Sequence, residues 1–355
     1  MQAIFKNAKL LASVMVVGEN KINIDDELNT RYEGNLKKLK RIKSLVGLQY
    51  RHEVDEKTTI SDLAEYGAKI LFEEYGLDKN TIDAIIVVTQ TPDFFLPATA
   101  CYLHGRLDLN QNALAFDINQ SCAGYVYGLY VAFSMIENGG CKNILLVSGD
   151  TNSKLSDPKT SKNKPFIGGD GVSVSLITKD PNKNTSYFEI GTDGKGVKYL
   201  FTPYGAFKNP TQEEFSEANL NIAPKQSYMN GLEIFNFATQ KEPLAFNSLL
   251  KYAKCSKDEL DFVFFHQANK DIVDFIIKKL NLFNAPNDTI SKYGNLDMAS
   301  IPATICDHLN TYKNPLKKDL KVLLGGFGAG LSWANAIINL DKNFWCKQTQ
   351  IYKKG

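Results

Sequence analysis

Short apolar, β-branched runs alternate with longer amphipathic segments in both halves of this 355-residue chain. Such runs are typical of strands that are buried on both faces of a sheet. Strands that alternate with helices favour an α/β fold built around largely parallel sheets. The predicted strands cover residues 84–89, 113–118, 143–148, 172–178, 187–190, 262–265 and 321–324.

Three helices are predicted between these strands. Residues 61–74 open with Ser61 and Asp62 and repeat apolar side chains at helical spacing. Residues 122–137 are apolar on nearly all sides, which indicates a buried helix. Residues 270–280 are more polar and predict a surface helix.

Hydropathy and charge exclude several classes of protein. No apolar run approaches the roughly 18 residues that a membrane-spanning helix needs. The apolar run 10–18 is followed by Glu19, Asn20 and Lys21 in place of a cleavage site, so we predict a buried first strand and no secretory signal. Lys and Arg total 41 and Asp and Glu total 39, a balance that argues against a general nucleic-acid-binding protein.

The β–α alternation and a glycine-rich turn occur once in each half, at 168–171 and 325–330. This recurrence indicates an internal duplication. A polar, proline-containing stretch at 179–184 is the predicted boundary. We therefore predict two halves, residues 1–180 and 181–355.

The six cysteines form no C-x-x-C pair and have no histidine at zinc-finger spacing. This pattern predicts mostly buried thiols, a reducing cytoplasm and no structural metal. The glycine clusters match neither a P-loop nor G-x-G-x-x-G, so no cofactor is predicted.

Cys122 stands between a predicted strand and the predicted buried helix, followed by the small Ala123 and Gly124. The helix dipole and its unpaired N–H groups favour a thiolate at such a position, so we expect a lowered thiol pKa. The pattern therefore makes Cys122 a candidate nucleophile. Taken alone, it also fits a cysteine packed in the core.

Two further candidates follow predicted strands or turns. His266 ends an apolar strand, where its ring could face a pocket or could cap the next helix. Asn295 follows Gly294 and fits either a turn or a site residue. The turn that contains Phe327, Gly328 and Ala329 could direct backbone N–H groups at an oxyanion, or could simply be crowded.

A cysteine, a histidine and an asparagine together suit a site that holds an acyl group as a thioester. At this level the sequence resembles β-ketoacyl-acyl-carrier-protein synthase III, in the thiolase-like condensing-enzyme superfamily, over essentially the whole chain. The motifs that carry the resemblance are, in order, Leu48 to His52, Ser61 to Ala64, Thr91 to Cys101, the Cys122 segment, Gly169 to Gly171, His266 to Asn269, Gly294-Asn295 and Phe327 to Gly330.

The resemblance implies a duplicated five-layer αβαβα sandwich and a cytoplasmic homodimer that works in lipid metabolism. It implies that Cys122 accepts the acyl group of an acyl-CoA or acyl-carrier protein, with N–H groups of Cys122 and the 327–330 turn holding the oxyanion. Malonyl-acyl-carrier protein then loses CO₂, and His266 and Asn295 stabilise the enolate. The product is a β-ketoacyl thioester.

Several positions depart from the family pattern. Arg41 and Leu45 replace a Trp and an Arg that help to hold coenzyme A, and Asp271 replaces an Arg that meets the carrier protein. Asp297 replaces a small polar residue. Residues 23–38 are additional.

These departures alter the approach surfaces and predict a specialised synthase. The candidate docking cations are Lys40, Arg41, Lys43 and Lys270, and Leu96 is the candidate acyl-pocket gate. One alternative is an acyltransferase that passes the acyl group to an alcohol or amine without malonyl. Another is a non-catalytic subunit.

Overall fold

A computed structural model describes residues 1–156, 166–210 and 225–354. The strands in these ranges are β1 (Gln2–Phe5), β2 (Ala8–Val17), β3 (Asn20–Asn23), β4 (Tyr50–Glu53), β5 (Ala84–Val88), β6 (Leu114–Ile118), β7 (Asn143–Thr151), β8 (Asp170–Lys179), β9 (Ser186–Thr192), β10 (Leu200–Phe201), β11 (Tyr228–Met229), β12 (Phe262–Phe265), β13 (Leu320–Gly328), β14 (Ser332–Leu340), β15 (Trp345–Cys346) and β16 (Gln350–Ile351). The α-helices are α1 (Leu36–Val46), α2 (Ile60–Ile70), α3 (Thr99–Arg106), α4 (Gly124–Glu137), α5 (Gly231–Ala253), α6 (Lys270–Leu280), α7 (Thr289–Tyr293) and α8 (Ser300–Leu309).

Two large mixed sheets organise the fold. The first has the order β15-β2-β8-β7-β5-β6, with β16 also paired to β2, and the second has the order β1-β9-β14-β13-β12. Within the first sheet β5 is parallel to β6 and β7, whereas β8 is antiparallel to β7 and β2. Within the second, β12 is parallel to β13, whereas β14 is antiparallel to β13 and β9.

The two sheets repeat one topology. The order β2-β8-β7-β5 in the first corresponds to β9-β14-β13-β12 in the second, with the same strand directions and the same order along the chain. The predicted duplication is therefore present. The outermost strands cross between the sheets, since β1 joins the second sheet and β15 and β16 join the first. The boundary at 180/181 stays a prediction.

The helices complete a five-layer αβαβα sandwich, as predicted. Helices α2 and α3 cover the outer face of the first sheet, and α5 covers that of the second with α6 packed beside it. Helices α4 and α8 lie between the sheets and contact both. The largest apolar cluster fills this central layer. Burial on both faces explains why the strands are short, continuous and apolar.

All seven predicted strands are present, with small shifts in their ends. The apolar run 10–18 is β2, buried along most of its length. The predicted helix 61–74 is α2 followed by one π-helical turn, Leu71–Tyr75. The buried helix begins at Gly124, so Cys122 precedes it. None of the helices in the described ranges is long and apolar enough to cross a membrane.

Residues 23–38 pack onto the molecule near the loop that carries Asn295. Tyr32 is fully buried in a small apolar cluster with Leu39 of α1. Glu27 forms an ion pair with the buried Arg51 of β4, whose side chain lies against Gly294. This segment is therefore part of the wall around the loop, and its status as an addition to the family pattern stays a prediction.

Candidate active site

Four chain segments meet in the central layer. Cys122 lies in the connection from β6 to α4, and His266 follows the last residue of β12. Asn295 and Asp297 lie in the connection from α7 to α8, and Gly328 ends β13. Three of these segments follow the carboxyl ends of strands in one sheet or the other. The duplicated topology thus brings together residues that are more than 200 positions apart.

Cys122 is tightly enclosed and only 6% exposed. A Cβ atom built on Gly328 would lie 2.7 Å from both the Cβ and the Sγ of Cys122. A Cβ on Gly124 would lie 2.7 Å from Val88. Real Cβ atoms do not approach this closely, so the glycines allow β13 and α4 to close around the thiol.

Gly328→Ala should displace the Cys122 side chain. We expect transfer of an acyl group to Cys122 to slow by about 10–100-fold, because small misplacements of a nucleophile are costly. Single-turnover acylation followed by mass spectrometry measures this. Gly105→Ala is the matched control, since nothing lies within 4 Å of a Cβ at that position. If Gly328→Ala were acylated at the wild-type rate, the close approach of residue 328 to the Cys122 side chain would be contradicted.

His266 is buried, and its ring has a fixed orientation. The Nδ1 atom lies 3.0 Å from the carbonyl oxygen of Asp297 and 2.8 Å from the Oγ of Ser300. The ring also meets the edge of Phe327 at 5.6 Å between centroids. These contacts leave Nε2 available to a substrate. Burial lowers the pKa of His266 to about 4, so the ring is neutral near pH 7.

Asn295 shapes the turn that carries Asp297. Its Oδ1 accepts a hydrogen bond from the N–H of Asp297 at 2.9 Å, and its backbone bridges to Gly168. The Nδ2 group makes no hydrogen bond within the described part of the chain, which leaves a donor for a substrate oxygen. Asp297 has φ of 46°, in the left-handed region that non-glycine residues seldom adopt.

The turn directs the Asp297 carboxylate at the nucleophile. Its Oδ1 accepts from the Cys122 thiol at 3.5 Å, and its Oδ2 accepts from the Nδ2 of Asn152 at 2.9 Å. The ligating atoms of Cys122, His266 and Asp297 all lie within 4.8 Å of one another. The structure therefore gathers Cys122 and His266 as predicted, and adds Asp297 between them.

The expected lowering of the Cys122 pKa is wrong. Burial raises this pKa well above its usual value, and the nearby Asp297 carboxylate raises it further. The prediction considered the helix end alone and omitted desolvation and a long-range acidic neighbour. Because this pKa is raised, attack by the sulfur needs a base that takes the thiol proton.

A second acid lies near Asp297. Asp150, at the end of β7, accepts from the N–H groups of Gln90 and Thr91 through Oδ1, while its buried Oδ2 has no hydrogen-bond partner among the described residues. Burial, followed by repulsion from Asp297, raises the pKa of Asp150 to about 7. Burial likewise raises the pKa of Asp297. Two such neighbours ionise less readily together than either does alone.

The other predicted site residues lie on the surface or in the turn beside the thiol. Phe327 is buried against His266, and Ala329 follows Gly328 in the turn. Leu96 is 87% exposed, in the loop before α3. Lys43 pairs with Asp25 and Lys270 with Asp274, whereas Lys40 and Arg41 form no ion pair among the described residues.

Three donor atoms at this spacing could also surround a cation. The sequence predicts a nucleophile at Cys122 and no metal, and the Cys122 thiol donates to the Asp297 carboxylate. Sequence reasoning missed the contacts of Asp297, Asp150 and Asn152. A signal was present, since Asp297 stands two residues after Asn295 in the same motif.

Comparison with known proteins shows the family to which the chain belongs. The family 3-oxoacyl-[acyl-carrier-protein] synthase III matches residues 116–194, and its C-terminal domain matches residues 250–340. A Campylobacter jejuni protein provisionally named 3-oxoacyl-[acyl-carrier-protein] synthase 3 is 43% identical, covering 100% of this chain and 99% of its own. The β-ketoacyl-[acyl-carrier-protein] synthase III of Caldanaerobacter subterraneus is 33% identical, covering 85% and 89%.

Solved structures extend the likeness to three dimensions. A 3-oxoacyl-(acyl-carrier protein) synthase of Burkholderia xenovorans superposes with a TM-score of 0.91 at 31% identity, covering 99% of each chain. Fold, site and sequence thus define a thiolase-like condensing acyltransferase. Within that class, the chain belongs to the β-ketoacyl-acyl-carrier-protein synthase III family.

Proposed function

We propose that this enzyme transfers an acyl group from a thioester donor to Cys122 and condenses it with a malonyl thioester, with loss of CO₂. The observation that carries the proposal is that the functional atoms of Cys122, His266 and Asp297 lie within 4.8 Å of one another, with Asn295 hydrogen-bonded to the N–H of Asp297. The donor is an acyl-CoA or acyl-carrier protein, and the second substrate is malonyl-acyl-carrier protein. The product is a β-ketoacyl thioester.

Each residue supports a separate part of the reaction. Cys122 forms the acyl thioester, and the N–H groups of Cys122 and of the turn at Phe327, Gly328 and Ala329 stabilise its oxyanion. The Nε2 of His266 and the Nδ2 of Asn295 donate hydrogen bonds to the malonyl thioester carbonyl oxygen as the enolate forms. No cofactor is required, because decarboxylation supplies the carbanion.

We propose a specialised synthase rather than one that initiates housekeeping fatty-acid synthesis. Arg41 and Leu45 are exposed on α1, where relatives carry a Trp and an Arg for coenzyme A. Asp271 occupies the first turn of α6, where an acid suits the helix dipole but repels an acidic carrier. The unpaired Lys40 and Arg41 offer a replacement anion-binding surface. Equal and high efficiency with acetyl-CoA and with acyl-carrier donors would count against specialisation.

We also propose a homodimer in the cytoplasm. An apolar patch, which we call the aromatic patch, surrounds Leu96 and consists of Phe94, Phe95, Leu96 and Phe207. Phe95, Leu96 and Phe207 are each more than 75% exposed, which is unusual for a monomeric surface. Close by in sequence, β6 is an edge strand with an exposed Leu114. All six cysteines are free thiols, which fits a reducing compartment.

Native mass spectrometry should give twice the 39.6 kDa chain mass. Phe95→Asp should shift the protein to the monomer, because a charge would be buried in the aromatic patch. Phe283→Asp is the matched control, since Phe283 is 92% exposed elsewhere on the surface. A monomeric wild-type protein would contradict the dimer and the role of Leu96 as a gate.

A second candidate function is transfer of the acyl group from Cys122 to an alcohol or amine. The carboxylate of Asp297 favours this candidate, since it lies beside the sulfur and could deprotonate an incoming hydroxyl or ammonium group.

Release of the acyl group distinguishes the two candidates. Separate samples of the acylated enzyme are mixed with malonyl-acyl-carrier protein or with one of a panel of alcohols and amines. Intact-mass measurement then records the loss of the acyl adduct in each sample. Condensation predicts malonyl-dependent loss with one CO₂ per turnover. Loss only with an alcohol or amine would favour the second candidate. A protein that forms no adduct with any donor would contradict both.

A further inference from the structure

We propose that Asp297 is the catalytic base that accepts the Cys122 thiol proton when the acyl group is transferred to the enzyme. This inference rests on the acyl-Cys122 step of the proposed function and holds for either acceptor. The sequence pattern gives Asp297 no role, and the juxtaposition of its carboxylate with the sulfur is a property of the folded chain.

Asp297 is the one residue of the site that contacts each of the three predicted catalytic residues. Its carboxylate accepts from the Cys122 thiol, its N–H donates to Asn295, and its carbonyl oxygen contacts His266. Asn152 holds the second carboxylate oxygen at 2.9 Å, which leaves Oδ1 directed at the thiol. The carboxylate is therefore fixed in position before a substrate arrives.

His266 is the other candidate base, and the geometry disfavours it. Its Nδ1 is engaged by Asp297 and Ser300, and the thiol donates to the Asp297 carboxylate instead of to the ring. Burial lowers the pKa of His266 to about 4, which makes the ring a poor proton acceptor at neutral pH. The same burial raises the pKa of Asp297, which makes the carboxylate a better one.

The titratable neighbours of Asp297 are few. Cys122, Asp150 of β7 and His266 after β12 face it, whereas Asp170 of β8 is engaged by Ser153 and Val54. No Lys or Arg forms an ion pair with Asp297 within the described ranges. The carboxylate thus keeps its basicity, since no cation stabilises the ionised form.

The step balances without any further reactant. The S–H bond of Cys122 breaks, and its proton moves to Oδ1 of Asp297 as the sulfur forms a bond to the acyl carbon. The bond between that carbon and the sulfur of the donor then breaks. The departing thiolate takes the proton from Asp297 and leaves as a thiol.

Asp297→Asn tests the proposal with two readouts that move in opposite directions. Because Asp297 raises the thiol pKa, its replacement should lower that pKa, which is measured by thiolate absorbance near 240 nm. If Asp297 acted only through its negative charge, it would slow acylation by raising the thiol pKa, and Asp297→Asn would be acylated faster than the wild type. A base predicts the reverse, a loss of about 100-fold or more at pH 7 in single-turnover acylation with acyl-CoA.

The pH profile supplies a second test that does not depend on this variant folding. In the wild type, acylation should rise with pH as Asp297 ionises and then level off. Asn152→Leu removes the Nδ2 donor that lowers the pKa of Asp297, so it should shift this rise to higher pH. Asp258→Asn, which changes an exposed acid, is the matched control and should leave the wild-type pH profile of acylation unchanged.

The outcomes separate the inference from the function on which it rests. Wild-type rate and pH profile in Asp297→Asn, or an unshifted profile in Asn152→Leu, would overturn the role of Asp297 and leave acyl-Cys122 intact. Absence of any adduct in the wild type would overturn both.

Discussion

Cys122→Ala should form no acyl adduct with any donor, and its overall condensation rate should fall by at least about 10³-fold. The expected loss is this large because the sulfur is the atom to which the acyl group is bound, and no other thiol lies near His266 and Asp297 in the described site. Intact-mass measurement after mixing with acyl-CoA and acyl-carrier proteins gives the result directly.

Cys255→Ala is the matched control, because Cys255 is a free thiol on the far side of the second sheet, next to Lys321. It should be acylated at Cys122 as in the wild type. The Cys122→Ala protein should also retain slow decarboxylation of malonyl-carrier protein, since His266 and Asn295 remain. An adduct that persists in Cys122→Ala would place the nucleophile elsewhere.

His266→Ala and Asn295→Ala should still become acylated but should condense about 10²–10³-fold more slowly. Each variant removes one hydrogen-bonding group from the position where the enolate oxygen forms, and loss of one such group has this typical effect. Separate single-turnover measurements of acylation and of malonyl-dependent release divide the two steps. Loss of acylation would contradict this division of labour.

Two matched variants make these results specific. Asn295→Ser keeps an oxygen that can accept from the N–H of Asp297, so it preserves the turn while removing the amide donor. It should behave like Asn295→Ala in condensation and like the wild type in acylation. His308→Ala changes an exposed histidine that contacts Phe262, and it should leave both steps unchanged.

Much of the fold could be predicted, because local pattern and burial agree in the strands. The run at 84–88 pairs with a strand on each side in a sheet that is covered on both faces, so it had to be apolar throughout. Strand β14 was not predicted, because the fully buried Asn335 and the adjoining glycine run obscure its pattern. The pairing of β1 with the second sheet depends on contacts across 180 residues, which periodicity does not record.

The site was predictable to the extent that its residues lie next to strand ends. Cys122 and His266 follow strands, so order along the chain and the family resemblance located them. Asp297 reaches the sulfur only because its backbone takes a left-handed turn beside a residue 175 positions earlier. Burial, followed by this contact, reversed the expected shift of the Cys122 pKa, since a local helix-end argument contains neither desolvation nor a distant carboxylate.

The central claim is that acyl-Cys122 condenses with a malonyl thioester. The most direct test isolates the acylated enzyme, adds malonyl-acyl-carrier protein labelled in its free carboxyl group, and follows intact mass and released CO₂ together. The adduct should disappear with one labelled CO₂ per acyl group, and the carrier should gain a β-ketoacyl chain. An adduct that survives malonyl-carrier protein, or clears without CO₂ release, would contradict the central claim.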